Sequence, residues 1–169
     1  MKYPSKVDIC SYGKCLVATS FLSKDVIIQK LEGSISSWNM ISEDEICYAI
    51  LIGSNEWMII QTDARYVNHS CDPNCKIDNE LRLVTLRPVK EGEELTICYN
   101  IVNEGEDPGF WDPRWSFKCC CGAKNCQKII DKYIMTDGNP WYPGVYEIRK
   151  KAYSVENPMI IINPVLQNK

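Results

Sequence analysis

Two groups of residues in this 169-residue chain carry side chains capable of chemistry at close spacing. The first is Arg65-Tyr66-Val67-Asn68-His69-Ser70-Cys71-Asp72-Pro73-Asn74-Cys75, which holds the one histidine of the sequence. Asn68 and His69 offer amide and imidazole donors and acceptors to a polar ligand, and Cys71 can reach a metal as a thiolate. Alone, the run is equally well read as a polar loop ending a strand, closed by the Pro73-Asn74 turn signal.

The second group is Cys119-Cys120-Cys121-Gly122-Ala123-Lys124-Asn125-Cys126. Cys119 and Cys121 flank one residue, Gly122 permits a turn, and Cys126 returns a third thiolate, which is the form of a metal knuckle. A structural zinc takes four ligands tetrahedrally, so the cluster is one short. Cys71 is the expected fourth ligand, with Cys75 or Cys120 as substitutes for a named one. Such an ion would tie the C-terminal loop to the His69 loop, build a concave site there, and order a segment too small to fold alone.

The elements that must position these groups read as short strands. Gly13-Lys14-Cys15-Leu16-Val17-Ala18-Thr19 and Val26-Ile27-Ile28 are apolar runs separated by the turn-like Ser23-Lys24-Asp25. Ser42-Glu43-Asp44-Glu45 resembles a helix start. Ile46 to Ile52 reads as a buried strand, turning at Gly53-Ser54-Asn55 into Trp57-Met58-Ile59-Ile60 as a hairpin. Leu81 to Arg87 alternates as a half-buried strand, and Leu95 to Tyr99 is another. Gly105 to Trp115 is a Gly/Pro/Trp-rich loop, and a helical turn is expected from Gln127, with Ile129, Ile130, Tyr133 and Ile134 on one side. The expected class is mostly β (α+β), without repeats or low-complexity segments.

Composition narrows the function classes. Hydrophobic residues make up 45% and charged residues 24%, as in a globular domain with a small appendage. Lys+Arg is 19 against Asp+Glu 22, a net charge of −3, which suits a basic partner and not a nucleic-acid phosphate backbone. Met1-Lys2-Tyr3-Pro4-Ser5 lacks an apolar signal and no window matches a membrane span, so a soluble intracellular protein is expected, nuclear or cytoplasmic alike. In that setting the ten cysteines are expected as core thiols and metal ligands, not disulfides.

Arg65 to Cys75, followed by Gly92-Glu93-Glu94-Leu95-Thr96-Ile97-Cys98-Tyr99-Asn100, resembles the core signature of SET-domain protein lysine methyltransferases. The Cys-x-Cys-Gly-x3-Cys cluster resembles their post-SET zinc segment, and Gly13 to Thr19 their first cofactor loop. The likeness spans about residues 8 to 130, in the family's order. It implies a fold of small curved β-sheets with a knot-like threading near the active site, a post-SET zinc knuckle and a C-terminal extension. The boundaries it implies are a SET domain over 1–103, a connecting loop over 104–116, a zinc segment over 117–133 and an extension over 134–169.

The resemblance also implies S-adenosylmethionine as methyl donor and a lysine in a basic protein segment, such as a histone tail, as acceptor. Gly13, Lys14 and Cys15 would line the cofactor through backbone groups, with Arg65, Asn68 and His69 beside its amino-acid and adenine parts and Phe117 stacking on the adenine. Tyr99 matches the active-site tyrosine, which is also placed beside the cofactor, and Tyr48 a tyrosine of the lysine channel. The metal ligands would be Cys71, Cys119, Cys121 and Cys126.

Departures from the pattern bear on this reading. Cys15 replaces a common second glycine, and Ile97 stands where a Phe or Tyr often governs how many methyl groups are added. The few residues before Gly13 are also too short for the cysteine-rich segment that precedes some of these domains. Competing functions are a zinc-stabilised reader of basic peptides without catalysis, and methylation of a small molecule or another side chain, since a fold fixes donor geometry more firmly than acceptor identity. A homodimer through the extension is left open, its Trp141, Tyr142, Tyr146 and Tyr153 serving either as core cover or as an interface.

Overall fold

The computed structural model describes residues 3–52, 56–102, 111, 113–136 and 145–148. These fall into two compact units, one of residues up to Asn68 together with Pro73–Ile97, the other of His69–Asp72 and residues from Cys98 onward.

In the first unit, β1 (Ser5–Cys10) and β2 (Gly13–Ala18) form an antiparallel hairpin whose last pair is Cys10 opposite Gly13. Gly13 has φ +116°, a conformation that favours a residue without Cβ, and it closes the two-residue connection. Next come β3 (Ile27–Lys30), β4 (Gly33–Ser36), β5 (Ala49–Leu51), β6 (Trp57–Ile60) and β7 (Asn68–His69), the last running into the second unit. The unit ends with β8 (Cys75–Ile77), β9 (Arg82–Thr85) and β10 (Thr96–Ile97).

Two three-stranded antiparallel sheets result, in the orders β3-β9-β8 and β4-β6-β5. Bridges from Val17 to Glu94 and from Leu22 to Val89 tie the chain around β2 to the segment before β10. Leu16, Ile28, Leu31, Leu83, Val89 and Leu95 are fully buried at the centre of this unit. Runs such as Leu16-Val17-Ala18 are buried on both faces, which is why they do not alternate in sequence. Gly33 faces Ile60 in the β4–β6 ladder so closely that a Cβ there would lie 1.9 Å from the Ile59 carbonyl oxygen.

In the second unit, β11 (Ile101–Val102) pairs in parallel with β14 (Ile134–Thr136), and β15 (Val145–Ile148) joins β14 antiparallel across a bulge. β12 (Phe117–Lys118) pairs with β13 (Ile129–Ile130). Asn100 is fully buried and stitches the unit together. Its Nδ2 donates to Gln127 Oε1 (3.1 Å) and the Lys132 carbonyl (2.8 Å), and its carbonyl accepts from Ile134 N–H (2.8 Å).

Three expectations are corrected. Ile46–Tyr48 is a 3₁₀ turn and only Ala49–Leu51 is strand, with Leu51 exposed: the apolar run is divided between a turn and a short edge strand. Ser42 Oγ donates to Glu45 Oε2 at 2.6 Å, but the stretch leads only into this three-residue turn, whose N-cap is Glu45 without a side-chain cap bond. The helical turn from Gln127 is absent. Ile129 and Ile130 extend in β13 and Ile134 in β14, because Cys119 N–H bonds the Lys128 carbonyl (2.8 Å) and draws the chain into a ladder. Finally, Cys10 and Cys15 form a disulfide, while the other eight cysteines are free thiols.

The Gly53-Ser54-Asn55 turn, most of the Gly105 to Trp115 loop, and Trp141, Tyr142 and Tyr153 with the reading of the extension as cover or dimer surface, lie outside the described residues. Among the described residues no helix is long and apolar enough to cross a membrane.

Candidate functional site

The site residues of the first unit gather at the tip of the β1–β2 hairpin. Asn68 is 7% exposed, and its Nδ2 donates to the Lys14 carbonyl (3.2 Å) and to Glu94 Oε1 (2.8 Å). Tyr12, in the hairpin turn, donates its hydroxyl to the other Glu94 oxygen at 3.0 Å. One carboxylate thus fixes both the hairpin tip and the Asn68 amide, and charge-assisted bonds of this kind are the stronger ones. Asn74, also buried, supports the same segment, with Nδ2 donating to the Glu94 carbonyl (2.7 Å) and Oδ1 accepting from Thr96 N–H (2.9 Å). In the sequence Glu94 and Asn74 stand only as members of longer motifs. The nearest signal for their role is a buried-type Asn and a Glu pair at the two ends of one strand-turn-strand stretch.

Arg65 lies over two aromatic rings, its guanidinium carbon 4.6 Å from the Tyr66 centroid and 5.5 Å from that of Tyr48, and it donates to the Tyr66 hydroxyl. The Lys14 ammonium stands 5.0 Å from the same Tyr66 centroid. Arg65 Nε is buried without a hydrogen-bond partner among the described residues, a donor whose satisfaction by a bound polar group would remove a real cost. Burial raises the Tyr48 phenol above its ordinary value, so it stays protonated and can donate. Gly13 and Lys14 sit at the hairpin tip, while the Cys15 sulfur is committed to Cys10.

In the second unit, His69, Tyr99 and Phe117 pack edge to face, with centroids 5.3 Å (His69–Tyr99), 5.5 Å (His69–Phe117) and 6.1 Å (Tyr99–Phe117) apart. His69 Nδ1 accepts from the Tyr99 backbone N–H at 3.1 Å, which leaves the ring hydrogen on Nε2, 3.3 Å from Cys71 Sγ. Burial pushes the imidazole down to about 4, so the ring is neutral near pH 7. Tyr99 remains 38% exposed beside two buried rings.

Cys71, Cys119, Cys121 and Cys126 bring their sulfurs within 4.8 Å of one another. The Cys71 and Cys119 sulfurs are 3.8 Å apart. Four thiolates at about 2.3 Å around a tetrahedral zinc stand about 3.8 Å from each other, so the donor set and spacing fit that ion. Neither Cys75 nor Cys120 belongs to the group. Backbone donors already face the sulfurs: Gln127 N–H to Cys71 (3.4 Å), Lys128 N–H to Cys126 (3.4 Å) and Cys71 N–H to Cys121 (3.5 Å). Although burial would raise Cys121, bonds from the Cys71 and Ala123 backbones and from neighbouring thiols bring it down to about 7, toward the thiolate a metal needs. Gly122 (φ +74°) and Lys128 (φ +67°) supply the left-handed residues that fold the knuckle back.

The same chain has recognisable relatives. It is 38% identical over 79 residues to the H3 lysine-9 specific histone-lysine N-methyltransferase KMT1 of Fusarium mangiferae, covering 39% of this chain and 23% of that protein. It is 35% identical over 125 residues to an H3 lysine-36 specific enzyme of Chaetomium globosum (60% and 13%), and 34% identical over 98 residues to histone-lysine N-methyltransferase trr of Drosophila melanogaster (54% and 3%). The chain thus spans less than a quarter of the length of these relatives. Among solved structures, KRYPTONITE in complex with mCHG DNA and SAH superposes with a TM-score of 0.57 at 21% identity, over 76% of this chain and 29% of that one, which shows a shared fold. The family profile described as SET domain matches residues 13–100, from the hairpin glycine to the buried Asn100 and over just more than half of the sequence, and the chain belongs to that family.

Proposed function

We propose that this chain is an S-adenosylmethionine-dependent protein lysine N-methyltransferase acting on a histone tail or another basic protein segment. One observation carries the reading: the SET match takes in the hairpin tip, the Asn68-His69 pair and Tyr99 together. The relatives are named for lysines 4, 9 and 36 of histone H3, and KRYPTONITE has been captured with an H3(1-15) peptide and SAH, so a lysine in a basic segment is the class of acceptor supported. The cofactor supplies a methyl group on a sulfonium. Backbone groups of Gly13, Lys14 and Cys15 would line it, with the orphaned Arg65 Nε, Asn68 and His69 beside its amino-acid and adenine parts and Phe117 as the stacking ring.

Tyr99 is the active-site tyrosine and steers the acceptor amine by its hydroxyl. Tyr48 lines the lysine channel as a protonated phenol. Transfer of a methyl group between two held reactants depends mainly on positioning. His69 is neutral and engaged at both ring nitrogens, and the sequence has no second histidine, so the amine loses its proton to solvent. Cys71, Cys119, Cys121 and Cys126 hold a structural zinc, a ligand set with no open position for substrate. The SET domain is taken as 1–103, the connection as 104–116, the zinc segment as 117–133 and the extension as 134–169.

The test is incubation of the purified chain with methyl-labelled cofactor and histones, tailed peptides or whole lysate, followed by mass analysis. Label on a lysine is the expected result. No transfer together with no affinity for S-adenosylhomocysteine overturns the reading.

A further inference from the structure

We propose that Cys10 and Cys15 form a redox-active dithiol that sets the affinity of the hairpin tip for the cofactor. The inference rests on the methyltransferase reading for the identity of the ligand. The disulfide links the last residue of β1 to β2 across the Ser11-Tyr12 turn, beside Gly13 and Lys14 at the start of β2, so it fastens the tip and not the distant ends of the hairpin. A Glu94 carboxylate oxygen lies within 4.8 Å of both sulfurs. That carboxylate takes the bonds from Tyr12 (3.0 Å) and Asn68 (2.8 Å), and Asn68 in turn holds the Lys14 carbonyl.

The bridge also suits a switch. Its residues are five apart in sequence, and a loop this short constrains the unfolded chain less than a long one, so the bond contributes less to global stability than a distant staple. Cys15 is fully buried but Cys10 is partly exposed, which directs an incoming thiolate to the Cys10 sulfur. A protein acting on histones works where low-molecular-weight thiols keep cysteines reduced, and disulfides there are usually transient and regulatory.

Reduction balances with a monothiol such as glutathione. One thiolate attacks the Cys10 sulfur, breaks the bond and expels Cys15 as a thiolate. A second thiolate attacks the glutathione sulfur of the mixed disulfide, expels Cys10 and forms oxidised glutathione. Two electrons enter the protein and solvent supplies a proton to each sulfur. Two thiols now stand beside Glu94 and compete for its oxygens with Tyr12 and Asn68, and the tip loses its fastening.

The full-length chain, kept in zinc-containing buffer, is equilibrated at several ratios of reduced to oxidised glutathione. The 10–15 disulfide is quantified by alkylation and peptide mapping, and S-adenosylhomocysteine binding is measured by calorimetry at each ratio. The oxidised form should bind about fivefold tighter or more, following the fraction of bridged peptide. Cys10→Ser should bind like the reduced protein at every ratio, which separates this pair from the remaining cysteines. Equal affinity across ratios, or no 10–15 bridge at any ratio, overturns the switch alone. Absence of binding in both states, together with no methyl transfer, overturns the methyltransferase reading and the switch that rests on it.

Discussion

Asn68 and Glu94 are joined by a 2.8 Å hydrogen bond from the Asn68 amide to a carboxylate that also holds the hairpin turn through Tyr12. Glu94→Gln keeps the volume and removes the charge. Hydrogen bonds to charged groups contribute about 1.5 kcal/mol or more, so S-adenosylhomocysteine affinity should fall about tenfold. Isothermal titration measures this, and an unchanged Kd would show that the carboxylate does not organise the tip.

Tyr99→Phe should separate binding from turnover. The ring keeps its packing on His69 and Phe117, and the backbone N–H still reaches His69 Nδ1. Affinity for S-adenosylhomocysteine should stay within about twofold while methyl transfer falls about 10²–10³-fold, the usual cost of losing one oriented donor. Undiminished turnover would remove the hydroxyl from the mechanism.

The four-sulfur cluster should retain one zinc per chain through gel filtration, read by elemental analysis. Cys121→Ser should lose it and Cys120→Ser should keep it, since Cys120 is exposed and outside the group. Chelation should deprotect the Cys119 amide, bonded to the Lys128 carbonyl, in hydrogen exchange, because the ion's binding energy orders this segment. Protection unaffected by chelation would make the metal dispensable for folding.

Gly33→Ala places a Cβ against the Ile59 carbonyl oxygen, and the β4–β6 ladder must part to admit it. Overpacking of this kind costs about 1–3 kcal/mol, visible in a urea midpoint. Gly92→Ala is a control with a different cause: nothing lies within 4 Å of its Cβ, but φ is +77°, which costs about 1–2 kcal/mol. A tolerated Gly33→Ala would mean that the sheet yields there.

The mostly-β class was legible because the strands around Leu16, Trp57 and Leu83 are compact apolar runs between turn residues. The knuckle was legible because three of its thiols lie within eight residues. Cys71 was joined to them because a tetrahedral site lacked one thiolate, although its nearness is a product of folding that no local spacing shows. The stretches misread are those where local pattern and tertiary pairing disagree. Ile46 to Ile52 is uniformly apolar but divided between a turn and a strand, and Ile129 to Ile134 has helical spacing but takes its hydrogen bonds from β12 and β11. The Cys10–Cys15 bond was missed because compartment argued against disulfides, whereas the hairpin register places the two residues as diagonal neighbours. Glu94 escaped notice because its partners, Tyr12 and Asn68, are 82 and 26 residues away.

The parallel pairing of Ile101 with Ile134 and of Val102 with Met135 means that the cysteine-bearing stretch departs and returns at one doorway. Asn100 latches that doorway from both sides, through the Lys132 carbonyl and the Ile134 amide. Doubling the length of a closed loop adds only about 0.6 kcal/mol of chain entropy, so extra residues spliced in after Val102 would tax the rest of the molecule very little. The excursion is therefore a natural place to graft new sequence, provided the four thiols can still converge.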